Sequence, residues 1–256
     1  MKKLLRVLQV FYCIYALLLF VALMFVALIF VLLFSLFGKV RGGNMIYKVC
    51  NAWAVIWYIL IGMRHREIYE AAVDKKSHYI FVANHISYMD IPAIVRSIHQ
   101  PVRVLGKYEM VKYPVFGLIY RMAAVVVDRS NAERRAKSVR ALKSALKHEI
   151  SIFIFPEGTF NETGAPLKYF YDGAFRIAIE TQTPIKPLLF IDTHERMHYR
   201  GFFELTPGIN RTVFLEDVPV VEYTMSQVAE LRQRVYSIME EGLRRYRSYS
   251  EEKPEV

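Results

Sequence analysis

From Val7 to Phe37 the chain carries no charged residue, no glycine and no proline. At about 1.5 Å of rise per residue, a helix of that length exceeds the ~30 Å hydrocarbon core of a bilayer, so it can span one with a strong tilt. The run is much longer than the ~7–15-residue core of a cleavable signal peptide, and no small-residue cleavage site is evident after it. It is therefore read as a retained anchor. Lys2, Lys3 and Arg6 precede it and Lys39 and Arg41 follow it, so the positive-inside rule leaves its orientation open. A second apolar stretch, Met45 to Met63, is interrupted by Lys48 and Asn51 and carries Trp53, Trp57 and Tyr58; it reads as interfacial or partly inserted.

The rest of the chain is basic. Among 256 residues, 34 Lys and Arg stand against 24 Asp and Glu, a balance that seeks polyanions. Because the most apolar stretch lies at the N-terminus, an anionic membrane is the expected partner and nucleic acid is not. Cys13 and Cys50 sit in apolar segments without metal or redox spacing, so neither a disulfide framework nor a zinc site is indicated and both read as buried thiols.

After about Arg64 the continuous apolar runs give way to short β-rich segments alternating with polar or amphipathic ones, the pattern of an α/β domain. Expected strands are His78 to Ala83, Val102 to Leu105, Ala124 to Asp128, Ser151 to Phe155, Lys186 to Asp192 and Thr212 to Val218. Residues 131–148 read as a helix, with Ser130 as N-cap and Glu133 completing a capping box. Its outer face carries Arg134, Arg135, Lys137, Arg140, Lys143 and Lys147, which is either a plain solvated face or a contact for acidic head groups or an acidic acyl carrier. Val228, Leu231, Val235, Ile238, Met239 and Leu243 recur at helical spacing and predict a closing amphipathic helix. The expected organisation is an anchoring segment over 1–64, one α/β domain with a mixed sheet flanked by helices over 65–247, and a frayed tail over 248–256.

Chemistry enters at Asn84-His85-Ile86-Ser87-Tyr88-Met89-Asp90, just past a predicted strand, where side chains face a cleft. A histidine and an aspartate five apart there can meet, the carboxylate accepting from one ring nitrogen and leaving the other as a base for an acceptor hydroxyl. Taken alone, the pair is also compatible with a helix-start aspartate and a satisfied histidine. Ser87 between them invites a nucleophile reading but has no separate base. Further on come Gly106-Lys107-Tyr108-Glu109-Met110 with Pro114 and Gly117, then Phe155-Pro156-Glu157-Gly158-Thr159, then Gly173-Ala174-Phe175 leading to Pro184-Ile185-Lys186-Pro187.

These four blocks, in this order, resemble the glycerolipid acyltransferase family that includes 1-acylglycerol-3-phosphate acyltransferase, whose motifs are NHxxxxD, GKxExxxxPxxG, FPEGTRS and a GAF block leading to PIxP. The resemblance covers roughly residues 75–190. It implies that His85 is the general base and Asp90 its orienting partner in direct attack of a lysophosphatidic acid hydroxyl on an acyl thioester, giving phosphatidic acid. It further implies that Gly106, Lys107 and Glu109 belong to the block that helps hold the acceptor phosphate, and that Glu157, Gly158 and Thr159 line the other side of the acceptor pocket. The donor would be acyl-acyl carrier protein or acyl-coenzyme A, with no metal and no bound cofactor. Both donors are cytosolic and the acceptor is dissolved in the bilayer, which places the catalytic domain on the cytoplasmic face of the inner membrane.

The chain departs from the family where acceptor identity would be decided. Phe160 stands where FPEGTRS has arginine and Asn161 where serine is common, so a bidentate phosphate clamp is missing. Phe170-Tyr171-Asp172 replaces a common Phe-Lys-Lys run, with one extra residue between Gly164 and Gly173; Lys168 could partly compensate. Phe160 is therefore the specificity candidate, and a lyso-ornithine or lyso-glycine lipid is the alternative acceptor. A non-catalytic lipid-binding protein is the remaining alternative. His194 and His198, four apart, lack a third metal ligand by spacing and read as a surface loop or helix turn. Arg121, Asp128 and Arg129 are open between an acceptor-side role and a structural ion pair.

Overall fold

The expected anchor does not stand apart from the domain. In the computed structural model, which describes residues 2–128, 131–199 and 201–247, the long apolar run forms helix α1 (Lys2–Ser35), and a π-helical turn at Gly38–Gly42 reverses the chain into α2 (Gly43–Leu60). The two helices pack antiparallel: Tyr12 Oη donates to the Ile61 carbonyl at 2.7 Å, Trp57 Nε1 to that of Ala16 at 2.9 Å, and Phe20 meets Trp53 and Trp57 edge-on. Trp57 and Tyr58, expected at a membrane interface, are instead buried between α1 and the domain. Seen from sequence, an aromatic cluster at a helix packing seam looks the same as one in a head-group belt. Among the described residues one helix, Lys3–Ser35, is long and apolar enough to cross a membrane, and most of it is exposed.

A connection at Ile61 and Gly62, the latter at φ 69°, leads straight into strand β1 (Met63–Tyr69). The chain then runs β2 (Ile80–Ala83), α3 (Asp90–Ser97), β3 (Val102–Lys107), α4 (Phe116–Ala123), β4 (Ala124–Val127), α5 (Ala132–Lys147), β5 (Ser151–Ile154), α6 (Gly173–Thr181), β6 (Ile185–Phe190), α7 (Thr193–Arg196), β7 (Gly208–Phe214) and α8 (Val228–Tyr246). One seven-stranded mixed sheet results, in the order β1-β7-β6-β2-β5-β3-β4. Strands β6, β2, β5, β3 and β4 are mutually parallel, and β7 with β1 runs against them. The expected boundary at residues 64 and 65 falls inside β1, a strand the sequence reading missed because Arg64, His65, Arg66 and Glu67 hide its alternation.

Side chains alternate across β2. Ile80 and Val82 pack with Leu142 of α5, Phe175 of α6 and Leu231 of α8 on one face; Phe81 and Ala83 pack with Tyr47 of α2 and Ile94 of α3 on the other. The helical hairpin and α5 therefore lie on opposite faces of the sheet. Helix α5 is capped by Asn131, whose Oδ1 accepts from the Arg134 amide at 2.9 Å, and not by the expected Ser130. Ser130, Arg129 and the expected tail at 248–256 lie outside the described residues.

Candidate active site

Parallel pairing puts the carboxyl ends of β2, β5, β3 and β6 on one edge of the sheet, the place where open α/β sheets present side chains to a cleft. Asn84 leaves β2 and is fastened to β6: its Nδ2 donates to the Phe190 carbonyl at 3.0 Å and its Oδ1 accepts from the Phe190 amide at 2.8 Å. The next residue is His85. From there the chain turns back so that Asp90, the first residue of α3, meets it: His85 Nδ1 and Asp90 Oδ2 are 2.8 Å apart.

That carboxylate oxygen also accepts from the Ile86 and Ser87 amides at 2.8 and 2.9 Å, while Asp90 itself is fully buried. Charge-assisted bonds of this kind contribute about 1.5–3 kcal/mol each and fix the imidazole with Nδ1 towards the carboxylate. His85 Nε2 has no hydrogen-bond partner among the described residues, and the side chain keeps 12% of its surface exposed. A ring so held can take a proton from a hydroxyl that reaches Nε2. Ser87 is occupied otherwise: its hydroxyl donates to the Met197 carbonyl at 2.5 Å and accepts from the Met89 amide at 3.0 Å. It ties the histidine turn to the segment after α7.

The turn after β5 locks onto the first. Gly158 adopts φ 74°, a left-handed conformation that turns the backbone sharply, and the Asn161 amide donates to the His85 carbonyl at 2.7 Å. Glu157, expected to line the acceptor pocket, is fully buried; its two oxygens accept from the amides of His85 and Lys168, each at 2.9 Å. Burial pushes its carboxyl up from 4.5 to about 8, against the pull of those two donors. Thr159 accepts from Lys168 Nζ at 2.8 Å, which holds that cation over the turn.

Aromatic rings cover the histidine. Phe155 stacks on His85 with centroids 3.8 Å apart, and Phe160 lies 4.4 Å from the same ring while meeting Tyr88 edge-on and Tyr199 at 6.4 Å. The stacking of Phe155 escaped the sequence reading, because Phe-Pro-Glu-Gly registers there as a turn. Gly106, Lys107 and Glu109 sit at the end of β3 and in the turn after it, Lys107 and Glu109 exposed. Gly106 is required sterically, since a Cβ would collide with the Tyr120 hydroxyl. Arg121 lines a cavity of about 280 Å³ with Lys112, Tyr113 and Leu118, whereas Asp128 pairs with Arg134 at 2.9 Å.

Other expectations resolve as packing. Phe170 is buried beside Phe175, and Asp172 pairs with Arg232 of α8 at 2.6 Å, so the changed run before Gly173 serves a helix contact. Lys186 is buried in β6, 3.6 Å from Asp217. His194 and His198 stand edge-on with centroids 4.4 Å apart, partly buried around the short α7 helix.

A buried carboxylate aligning an imidazole at the open edge of an α/β sheet, next to apolar rings and a long apolar helix, is an arrangement able to activate a hydroxyl in apolar surroundings. The chain belongs to the acyltransferase family, whose profile, described as Acyltransferase, matches residues 65–191. It is similar to the 1-acyl-sn-glycerol-3-phosphate acyltransferase of Cocos nucifera, 31% identical over a stretch covering 62% of this chain and 50% of the relative. The enzyme of the same name from Salmonella typhimurium is 29% identical, covering 68% and 70% respectively, and that of Escherichia coli 30%, covering 64% and 66%. The chain thus spans about half the length of the plant relative. The fold matches the crystal structure of the 1-acyl-sn-glycerophosphate (LPA) acyltransferase PlsC from Thermotoga maritima with a TM-score of 0.74, over 96% of this chain and 97% of that one, at 24% identity.

Proposed function

We propose that the chain transfers a fatty acyl group from an acyl thioester to the free hydroxyl of 1-acylglycerol-3-phosphate, forming phosphatidic acid at the cytoplasmic face of the membrane. The observation that carries this reading is the 2.8 Å His85–Asp90 pair, with His85 Nε2 unengaged among the described residues. Nε2 takes the acceptor's hydroxyl proton as the oxygen attacks the thioester carbonyl; the tetrahedral intermediate collapses, the carbon–sulfur bond breaks, and the thiolate leaves with the proton returned by the imidazolium. Ser87 forms no covalent intermediate, because its hydroxyl is committed to the Met197 carbonyl. Gly106, Lys107, Glu109, Gly158, Thr159 and Lys168 are assigned to the acceptor side, and Glu157 to holding the two turns together. The catalytic steps above draw on no metal and no cofactor beyond the thioester substrate.

A second acceptor is favoured by one observation. Phe160 packs against His85 and Tyr88, so the position that carries a phosphate-binding arginine in the family here presents an apolar ring. A lyso-ornithine or lyso-glycine lipid offers a hydroxyl without a phosphate and suits such a wall. Acyl transfer by the purified protein in detergent, with one acyl donor and each of the three lysolipids, tests both readings. Preference for lysophosphatidic acid supports the first, and preference for an aminoacyl lysolipid replaces it with the second.

A further inference from the structure

The cations of α5 are treated differently from those of α8 on the same side of the sheet. In α8, Arg244 and Arg245 pair with Glu240 and Glu241 one turn back, and Arg232 pairs with Asp172. In α5 the sole acidic residue is Glu133, against six Arg and Lys. Arg134 is engaged with Asp128 and lies over the Tyr108 ring, and Lys143 pairs with Glu180. Lys137, Arg140 and Lys147 are exposed and have no ion-pair partner among the described residues. Their spacing of three and seven puts them on one stripe, about 15 Å long at helical rise. Like charges so placed repel one another, and within the helix only Glu133, one turn before Lys137, carries the opposite sign.

The position of the stripe says which polyanion it faces. Its helix begins beside Tyr108, in the turn that follows Lys107 at the catalytic edge, and packs on the sheet face opposite the α1–α2 hairpin. A bilayer engaged by α1 approaches from the other face. Building on the acyl-transfer reading above, we infer that Lys137, Arg140 and Lys147 form the docking surface for a small acidic carrier protein that delivers the acyl group as a thioester. Charge complementarity of this kind acts through encounter rate and falls off with salt. A coenzyme A thioester, far smaller than a carrier protein, need not span the distance from the catalytic edge to the stripe.

The test is the triple variant Lys137→Glu, Arg140→Glu, Lys147→Glu, compared with the unaltered chain in neutral detergent. Three readouts are taken: acyl transfer to lysophosphatidic acid from acyl-acyl carrier protein and from acyl-coenzyme A, direct binding of acyl carrier protein by fluorescence anisotropy at two salt concentrations, and co-sedimentation with phosphatidylglycerol vesicles. The expected result is a KM for acyl-acyl carrier protein raised about tenfold or more with kcat kept, a KM for acyl-coenzyme A within about twofold, and salt-sensitive carrier binding lost. Equal effects on both donors, or none on either, overturn the inference. So does a variant that loses only its adsorption to phosphatidylglycerol vesicles, which would make the stripe a lipid contact. If the unaltered chain transfers no acyl group to lysophosphatidic acid, the acceptor reading fails, and carrier binding alone still decides this one.

Discussion

The turn that carries His85 and the turn that faces it are built to different tolerances. In the first, one carboxylate oxygen of Asp90 gathers three donors, Asn84 is bonded twice to β6, and Ser87 reaches the Met197 carbonyl. In the second, the Glu157 end is buried, but Glu162 to Ala165 are exposed and fold on themselves through the Asn161 side chain. On the acyl-transfer reading, the contrast puts the proposed base on the more tightly bonded turn and the proposed selector, Phe160, where the more open turn meets it.

The largest expected effect lies on the rigid side. His85→Ala should lower kcat about 10²–10⁴-fold and cost about 1.5–3 kcal/mol of stability through the lost bond to Asp90; retained turnover in the folded variant would remove the base from the mechanism. Asp90→Asn should lower kcat about a hundredfold and also destabilise the protein by about 2–3 kcal/mol, because the Ile86 and Ser87 amides then bond to a neutral acceptor. Activity and thermal unfolding measured together separate the two losses. On the open side, Phe160→Arg should raise activity on a phosphate-bearing acceptor relative to an aminoacyl one by about tenfold, with folding intact. An unchanged ratio would show that Phe160 is not the selector.

Glu157 joins the two turns and gives a pH signature. Its carboxyl is harder to ionise in the folded chain, about 8 against 4.5, so the folded state holds more protons between those values. Stability then falls as pH rises through that window, by up to about 1.4 kcal/mol per unit. Glu157→Gln should flatten the dependence of the melting temperature on pH; an unaltered slope would assign it to other groups. The smallest effect is expected at Ser87→Ala, with kcat within about fivefold and a loss of about 1–2 kcal/mol in stability from the orphaned Met197 carbonyl. Abolished turnover there would revive a covalent route.

Local sequence was enough for the first turn and not for the second. His85 and Asp90 are separated by a single tight turn, so spacing allowed them to meet, and the resemblance carried by the four blocks made that an expectation. Glu157 was recognised in its block but assigned to the pocket wall, because the direction of its side chain depends on the reversal at Gly158 and on amides supplied by His85 and Lys168 from elsewhere. Phe160 was legible only as a departure; its contact with the imidazole required the two turns to be brought together. Strands buried on both faces, such as β2 and β5, announced themselves by short apolar runs. Strand β1 did not, being an edge strand with an exposed, charged surface.

That edge strand bears on how the chain is made. Residues 63–69 leave the ribosome directly behind the hairpin, but their hydrogen-bonding partner, residues 208–214, follows only after the other strands of the sheet. Strand β1 is thus among the last of the sheet to find its place, and it must wait with its outer backbone unsatisfied while the central strands assemble. Its Arg64, Arg66 and Glu67 suit that wait, since charged side chains discourage an open edge from pairing with a neighbouring nascent chain.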